Sequence, residues 1–182
     1  MSSHNGNNEI AFSEKALALI QKMMKRYPEG KHKSAILPIL HLAQAEFGGW
    51  LSAPVMDYVA SILKIEPIEV YEVASFYTMF NLKPVGKCVI EVCRTGPCWL
   101  MGAEDIVNYL EEKLQIKVGE TTPDGMFTLK TVECLAACGF APVIQIGETY
   151  YENLTCKAVD EVLEDLRTNV KEPISHWSKA HI

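Results

Sequence analysis

Apolar residues recur along this chain with two different periods, and the change from one to the other comes around Lys83-Pro84-Val85-Gly86. Before it, Ala16, Ile20, Met23 and Tyr27 fall at helical spacing behind a candidate N-cap at Ser13, and Pro28 and Gly30 end that helix. Ser34 is the expected cap of a second helix, whose Ile36, Leu37, Leu40, Ala43 and Phe47 face a core before Gly48-Gly49 stops it. Ser52 and Pro54 open a third through Val55, Val59, Ile62 and Leu63, and Pro67 opens a short fourth through Val70, Tyr71 and Ala74. After Gly86 the runs shorten to period two, predicting strands at Cys88–Val92 and Phe127–Val132 and a hairpin of Val143–Ile146 with Thr149–Tyr151 turning near Gly147. Helices are expected from Gly102 to Leu114 and from Thr155 to Leu166. The pattern is therefore α+β: a small N-terminal helical bundle, then a β-α-β-β-α layer with helices packed on a mixed four-stranded sheet.

Four domain-scale segments follow: residues 1–9 polar and disordered, 10–82 helical, 83–170 α/β, and 171–182 a polar tail with one aromatic, Trp177. A chain of 182 residues and 20.3 kDa can bury roughly 70% of its extended surface, so it needs no covalent staples. Six cysteines are too few for a disulfide scaffold, and Met1–Asn8 has neither a cationic nor an apolar leader region, which points to a reducing, cytoplasmic compartment. The net charge of −6 is spread without a basic stripe, which argues against nucleic acid as a partner. The strongest apolar stretch, Ala35 to Ala43, is broken by Pro38 and His41 and falls far short of the ~20 residues of a membrane span. Membrane association would run through a partner.

The candidate chemistry lies in four cysteines. Cys93 and Cys98 form C-x4-C, and Cys134 and Cys138 form C-x3-C after a gap of 35 residues, each pair at a predicted strand end. Zinc sites draw on C-x2-C knuckles and thioredoxin-type redox sites need C-x-x-C, whereas wider, unequal spacings suit a [2Fe–2S] cluster, so electron transfer is the first expectation. Thr95, Gly96 and Pro97 build the turn inside the first pair, where backbone N–H groups and the following helix favour thiolates. Trp99, Leu135 and Phe140 flank the ligands, either as apolar cover or as plain core packing. Cys88, in phase with Ile90 and Val92, and Cys156, at the start of the last helix, are read as core residues. No phosphate-cradling glycine loop, nucleophile elbow or H-E-x-x-H occurs, and His4, His32, His41, His176 and His181 show no metal-like pairing. A one-electron site without a site for a two-electron donor needs a flavin-bearing partner.

Asp124-Gly-Met-Phe-Thr128, then Cys134-Leu-Ala-Ala-Cys138 and Gly139-Phe-Ala-Pro142, resemble the signature of the thioredoxin-like [2Fe–2S] subunit family (the E subunit) of NADH:quinone oxidoreductase, respiratory complex I. Cys93-Arg-Thr-Gly-Pro-Cys98, the helical stretch Ala35 to Leu51, and Glu72 to Phe80 resemble the same family, so the likeness runs from about residue 10 to 170. It implies a thioredoxin-like ferredoxin domain in which Cys93, Cys98, Cys134 and Cys138 hold the cluster's irons. It further implies a flavoprotein subunit that binds FMN, NADH and a [4Fe–4S] cluster, the large iron–sulfur subunit of the same module, and a place peripheral to a bacterial inner membrane. The N-terminal helices then read as a docking module, with Phe76, Tyr77 and Phe80 at its surface or buried between the two domains. The small subunit of a cytoplasmic NAD-dependent hydrogenase or formate dehydrogenase shares this cluster and fold and is the alternative. Where the family pattern usually has glycine this chain has Ala136; if that position requires positive φ, alanine there is strained by about 1 kcal/mol.

Overall fold

A computed structural model describes residues 10–174, and the chain divides between Lys83 and Pro84 into two compact units. The first is all helical: α1 (Glu14–Met24), a 3-10 turn (His32–Ala35), α2 (Ile36–Glu46), α3 (Ala53–Leu63) and α4 (Pro67–Phe76). The cap signals act as expected at two of these helices. The Ser13 hydroxyl accepts the Ala16 N–H at 3.3 Å and the Ser52 hydroxyl accepts that of Val55 at 3.4 Å, each satisfying a donor that the first turn leaves open. Ser34 does not cap α2; it lies inside the 3-10 turn, and α2 starts after Ala35 without a side-chain cap. Ile20, Ile39, Leu40, Leu51 and Val59 are almost fully buried, at about 1.5–3 kcal/mol each for large aliphatic side chains. Gln44 closes the unit, donating to the Met79 carbonyl at 3.0 Å and accepting the Asn81 N–H at 2.6 Å.

The second unit holds β1 (Cys88–Cys93), α5 (Gly96–Leu100), α6 (Ala103–Leu114), β2 (Phe127–Val132), β3 (Ile144–Ile146), β4 (Thr149–Tyr151) and α7 (Cys156–Asn169). Its four strands are ordered β2-β1-β3-β4, with β1 parallel to β2 and antiparallel to β3, and β3 antiparallel to β4. Alternation puts Ile90, Val92, Phe127, Leu129, Ile144 and Ile146 on one face of the sheet, where they join Ile106 and Leu110 of α6 and Val159, Leu163 and Leu166 of α7 in one core. Cys88 belongs to this core, as its phase requires. Cys93 does not.

The sheet's register is pinned at its start. The Gly86 N–H donates to Thr128 Oγ1 at 2.6 Å, and a Cβ on Gly86 would come within 2.9 Å of the Met126 and Phe127 backbone. Within the stretch expected as a polar tail, Ile174 packs against the core and its N–H donates to the Lys87 carbonyl at 2.7 Å. The expected N-terminal disorder and Trp177 lie outside the described residues.

Candidate metal centre

Parallel pairing brings both cysteine segments to one end of the sheet. Cys93, the last residue of β1, is in register with Val132, the last of β2, so the chain leaves both strands at the same edge and Cys134 follows two residues later. The ladder continues past the strands: the Arg94 N–H donates to the Val132 carbonyl at 3.2 Å and the Cys93 N–H to the Val143 carbonyl at 3.1 Å. As an odd-phase residue of β1, Cys93 is outside the main core and sits in a small apolar nest of Cys98, Ala103 at the start of α6, Ala141 and Val143, with Leu135 and Ala137 against it.

The turn between Cys93 and Cys98 is a short helix rather than a loop. Gly96 and Pro97 open α5, Cys98 is its buried residue, and Gly102 at φ +91° redirects the chain into α6. Sequence reading missed α5 because five residues show no period; Pro97 in the first turn was the available signal. The second segment has no such frame. Cys134 precedes a turn in which Ala136 adopts φ +60°, and Cys138 starts a single 3-10 turn ending at Phe140. Ala136 therefore does occupy the left-handed region, where glycine would be at ease. The conformation lets the Ala136 N–H donate to Cys134 Sγ at 3.3 Å.

Cys93 and Cys98 are 2% exposed, whereas Cys134 and Cys138 are open to solvent. The thiols of Cys134 and Cys138 lie 3.6 Å apart, those of Cys93 and Cys98 are hydrogen-bonded to each other, and the Leu135 backbone reaches the Cys93 sulfur across the gap between segments. Each pair splits its acidity. Cys93 is held below the ordinary thiol range because hydrogen bonds from the Thr95 side chain and the Thr95 and Leu135 backbone outweigh its burial, the largest influence. Cys98 is pushed up to about 11 by burial and then by Cys93. Cys134 is lowered by the Ala136 N–H and then by Cys138, and Cys138 is raised by its hydrogen bond to Cys134. One proton per pair is thus held loosely and one tightly, and a metal must displace both.

Among the described residues, no three His, Cys, Asp or Glu side chains converge on a single ion. The arrangement is two pairs. Two thiolates on one tetrahedral metal at about 2.3 Å would stand about 3.8 Å apart, close to the 3.6 Å of Cys134 and Cys138, so the donor set fits a binuclear iron group of all-thiolate ligation.

Of the three apolar residues that flank the thiols in sequence, Leu135 packs against the nest, whereas Trp99 and Phe140 are 61% and 52% exposed. Cys156 corrects an expectation: it is exposed, because α7 begins at the rim of the core, where Thr155, Cys156 and Lys157 are all in solvent and burial resumes at Val159. Cys88 is buried and its thiol is pushed up to about 11 by that burial.

Residues 20–167 match the family described as thioredoxin-like [2Fe-2S] ferredoxin. The chain is 50% identical over 160 residues to the NADH-quinone oxidoreductase E subunit of Rickettsia bellii, covering 88% of this chain and 96% of that protein. It is 43% identical over 166 residues to the mitochondrial NADH dehydrogenase [ubiquinone] flavoprotein 2 of Dictyostelium discoideum, covering 91% of this chain and 67% of the other. An NAD+-reducing [NiFe]-hydrogenase in the H2-reduced state shares the fold with a TM-score of 0.65 at 21% identity, over 74% of this chain and 22% of that one.

Proposed function

Since this chain belongs to the thioredoxin-like [2Fe–2S] ferredoxin family, we infer that it is the electron-transfer subunit of the NADH dehydrogenase module of respiratory complex I. The observation that carries the reading is the meeting of two cysteine pairs at one end of a parallel ladder, in a chain half identical to the rickettsial oxidoreductase subunit across 96% of that protein's length. Cys93, Cys98, Cys134 and Cys138 are the residues proposed to hold the [2Fe–2S] cluster. When bound, that group takes up and releases single electrons. The chain's own part is to supply four thiolates, to seat two of them in an apolar nest, and to point backbone N–H groups at the sulfurs, which favours the negative charge gathered there.

A chain that carries no nucleotide-binding loop takes electrons from a partner. The partner proposed is the subunit that binds FMN and NADH, with the large iron–sulfur subunit of the same module as a further neighbour. Residues 10–82 serve as the docking module and 83–170 as the electron-carrying domain; the exposed Phe76 and Tyr77 at the end of α4 support a docking role for the first. No described helix is long and apolar enough to cross a membrane. The location proposed is the bacterial cytoplasm, at the inner membrane only through the complex, in keeping with the rickettsial relatives. The soluble hydrogenase reading has the shared fold in its favour, and 50% identity to the rickettsial protein against 21% to the hydrogenase favours complex I.

Anaerobically purified protein is expected to contain iron and acid-labile sulfide in equal amounts, with a broad visible absorption that dithionite bleaches. Stoichiometric zinc without sulfide would defeat the cluster reading. NADH alone is expected to leave the spectrum oxidised, while NADH with the FMN-bearing partner allows reduction. Ferricyanide reduction by NADH with this chain alone, free of flavin, would show a dehydrogenase site in it.

A further inference from the structure

Three hydroxyls at helix starts behave alike and a fourth does not. Ser13, Ser52 and Thr155 each accept an N–H from the first turn of their helix, at 3.3, 3.4 and 3.2 Å. Thr95 stands at the same position before α5, with extended backbone at φ −79° and ψ 167°, yet its side chain makes no cap bond. Its hydroxyl lies instead 3.4 Å from Cys93 Sγ and within hydrogen-bonding reach of the Cys134 thiol. The residue is half-buried.

A capping hydroxyl accepts, using an oxygen lone pair. Beside a metal-bound thiolate, which has no proton to give, the same group can only donate. Swinging away from the α5 N–H groups leaves a cap unmade, so the O–H must gain elsewhere what the helix start loses. We propose that Thr95 is a positioning residue of the electron-transfer site: its hydroxyl donates to the sulfur of Cys93, and so raises the reduction potential of the bound cluster. Hydrogen bonds to ligand sulfurs disperse negative charge and therefore stabilise the reduced form more than the oxidised one.

The proposal rests on the cluster reading above, and the test separates the two. The full chain with its cluster in place is titrated anaerobically against a series of redox mediators, following the reduced cluster by electron paramagnetic resonance. Thr95→Val keeps the shape and removes the hydroxyl; at the wild-type midpoint its reduced-to-oxidised ratio is expected to fall about tenfold, or about 59 mV for a one-electron couple. Thr95→Ser restores the donor and is expected to stay within about twofold of wild type, which a role in packing alone would not produce. If Thr95→Val does not hold the cluster, Thr95→Ala serves in its place. Loss in both with retention in Thr95→Ser assigns the hydroxyl to holding the thiolates and supports the proposal; loss in all three makes position 95 a matter of shape and overturns it. An unchanged midpoint in Thr95→Val at wild-type iron and sulfide content, or an equal shift in Thr95→Ser, also overturns it. Absence of sulfide from the wild-type protein would overturn the cluster reading instead.

Discussion

The Cys93–Cys98 segment and the Cys134–Cys138 segment supply the same chemical groups from different kinds of backbone. The first begins at the end of the central strand, closes through a short helix and buries both sulfurs against Ala103, Ala141 and Val143. The second runs through irregular backbone, holds an alanine in a left-handed conformation and leaves both sulfurs in solvent. One pair is therefore set by the same packing that makes the fold; the other is set by local turns and by whatever it binds. The second segment is nonetheless anchored at its far end, where the Asn153 N–H donates to the Phe140 carbonyl at 2.7 Å and the Leu154 N–H to that of Pro142 at 3.1 Å.

The largest test of this contrast uses serine in place of each thiol. Any of Cys93→Ser, Cys98→Ser, Cys134→Ser and Cys138→Ser is expected to abolish or grossly alter the visible cluster spectrum, and retention of a native spectrum in any of them would remove that residue from the ligand set. The pairs should then separate in the cluster-free chain. Cys93→Ser and Cys98→Ser put a hydroxyl into an apolar nest and should cost about 1–3 kcal/mol in urea unfolding, whereas the exposed Cys134 and Cys138 should tolerate the change within about 0.5 kcal/mol. Equal losses would break the comparison.

The two remaining cysteines extend the test away from the site. Cys88→Ser is expected to keep the cluster spectrum and lose about 1–3 kcal/mol, because Cys88 is fully enclosed in the main core. Cys156→Ser should change neither measurably. A cluster lost with Cys88 but kept without one of the four would reverse the assignment.

A smaller effect is expected at Ala136. Glycine is at ease at φ +60°, so Ala136→Gly should stabilise the cluster-free chain by about 0.5–1 kcal/mol after its greater unfolded-state freedom is subtracted. A loss of stability would show that the turn takes another shape without metal. The smallest effect concerns protons. The thiol of Cys134 is held low by the Ala136 N–H and then by Cys138, while that of Cys138 is held high by Cys134. The alkylating species is the thiolate, and a lowered value means it forms at lower pH. With both sulfurs exposed, Cys134 should be alkylated by iodoacetamide at lower pH than Cys138 in the cluster-free chain, read by mass spectrometry. The reverse order would contradict the donor role of the Ala136 backbone.

Much of this architecture is legible in the residues because period, cap and turn agree. β2 begins and ends at Phe127 and Val132 as its alternation predicts, and Ser13, Ser52 and Pro67 mark helix starts. Legibility fails where tertiary position decides. Cys156 has the phase of Val159 and Leu163, yet α7 begins at the rim of the core, so those two are buried and Cys156 is left in solvent. Ser34 has the chemistry of a cap but falls inside a tighter turn. Thr95 has both the chemistry and the position, and its hydroxyl turns to sulfur; no local pattern distinguishes that choice from an ordinary cap. The cysteine spacing carries chemistry better than geometry: it marks two pairs, while their unequal burial depends on Ala103 at the start of α6 and on Ala141 and Val143 just before β3.

Because β1 and β2 run side by side from the Gly86–Thr128 bond to Cys93 and Val132, the interval between the two cysteine pairs is measured in ladder rungs, not in residues. The end of the connection after α6 is tied to the same ladder, the Gly119 N–H donating to the Leu129 carbonyl at 2.7 Å and the Lys87 N–H to the Gly125 carbonyl at 3.0 Å. One residue gained or lost inside β2 would shift Cys134 by about 3.3 Å along the strand and turn the following side chains to the opposite face. Descendants of this chain are thus held to one length between Phe127 and Cys134.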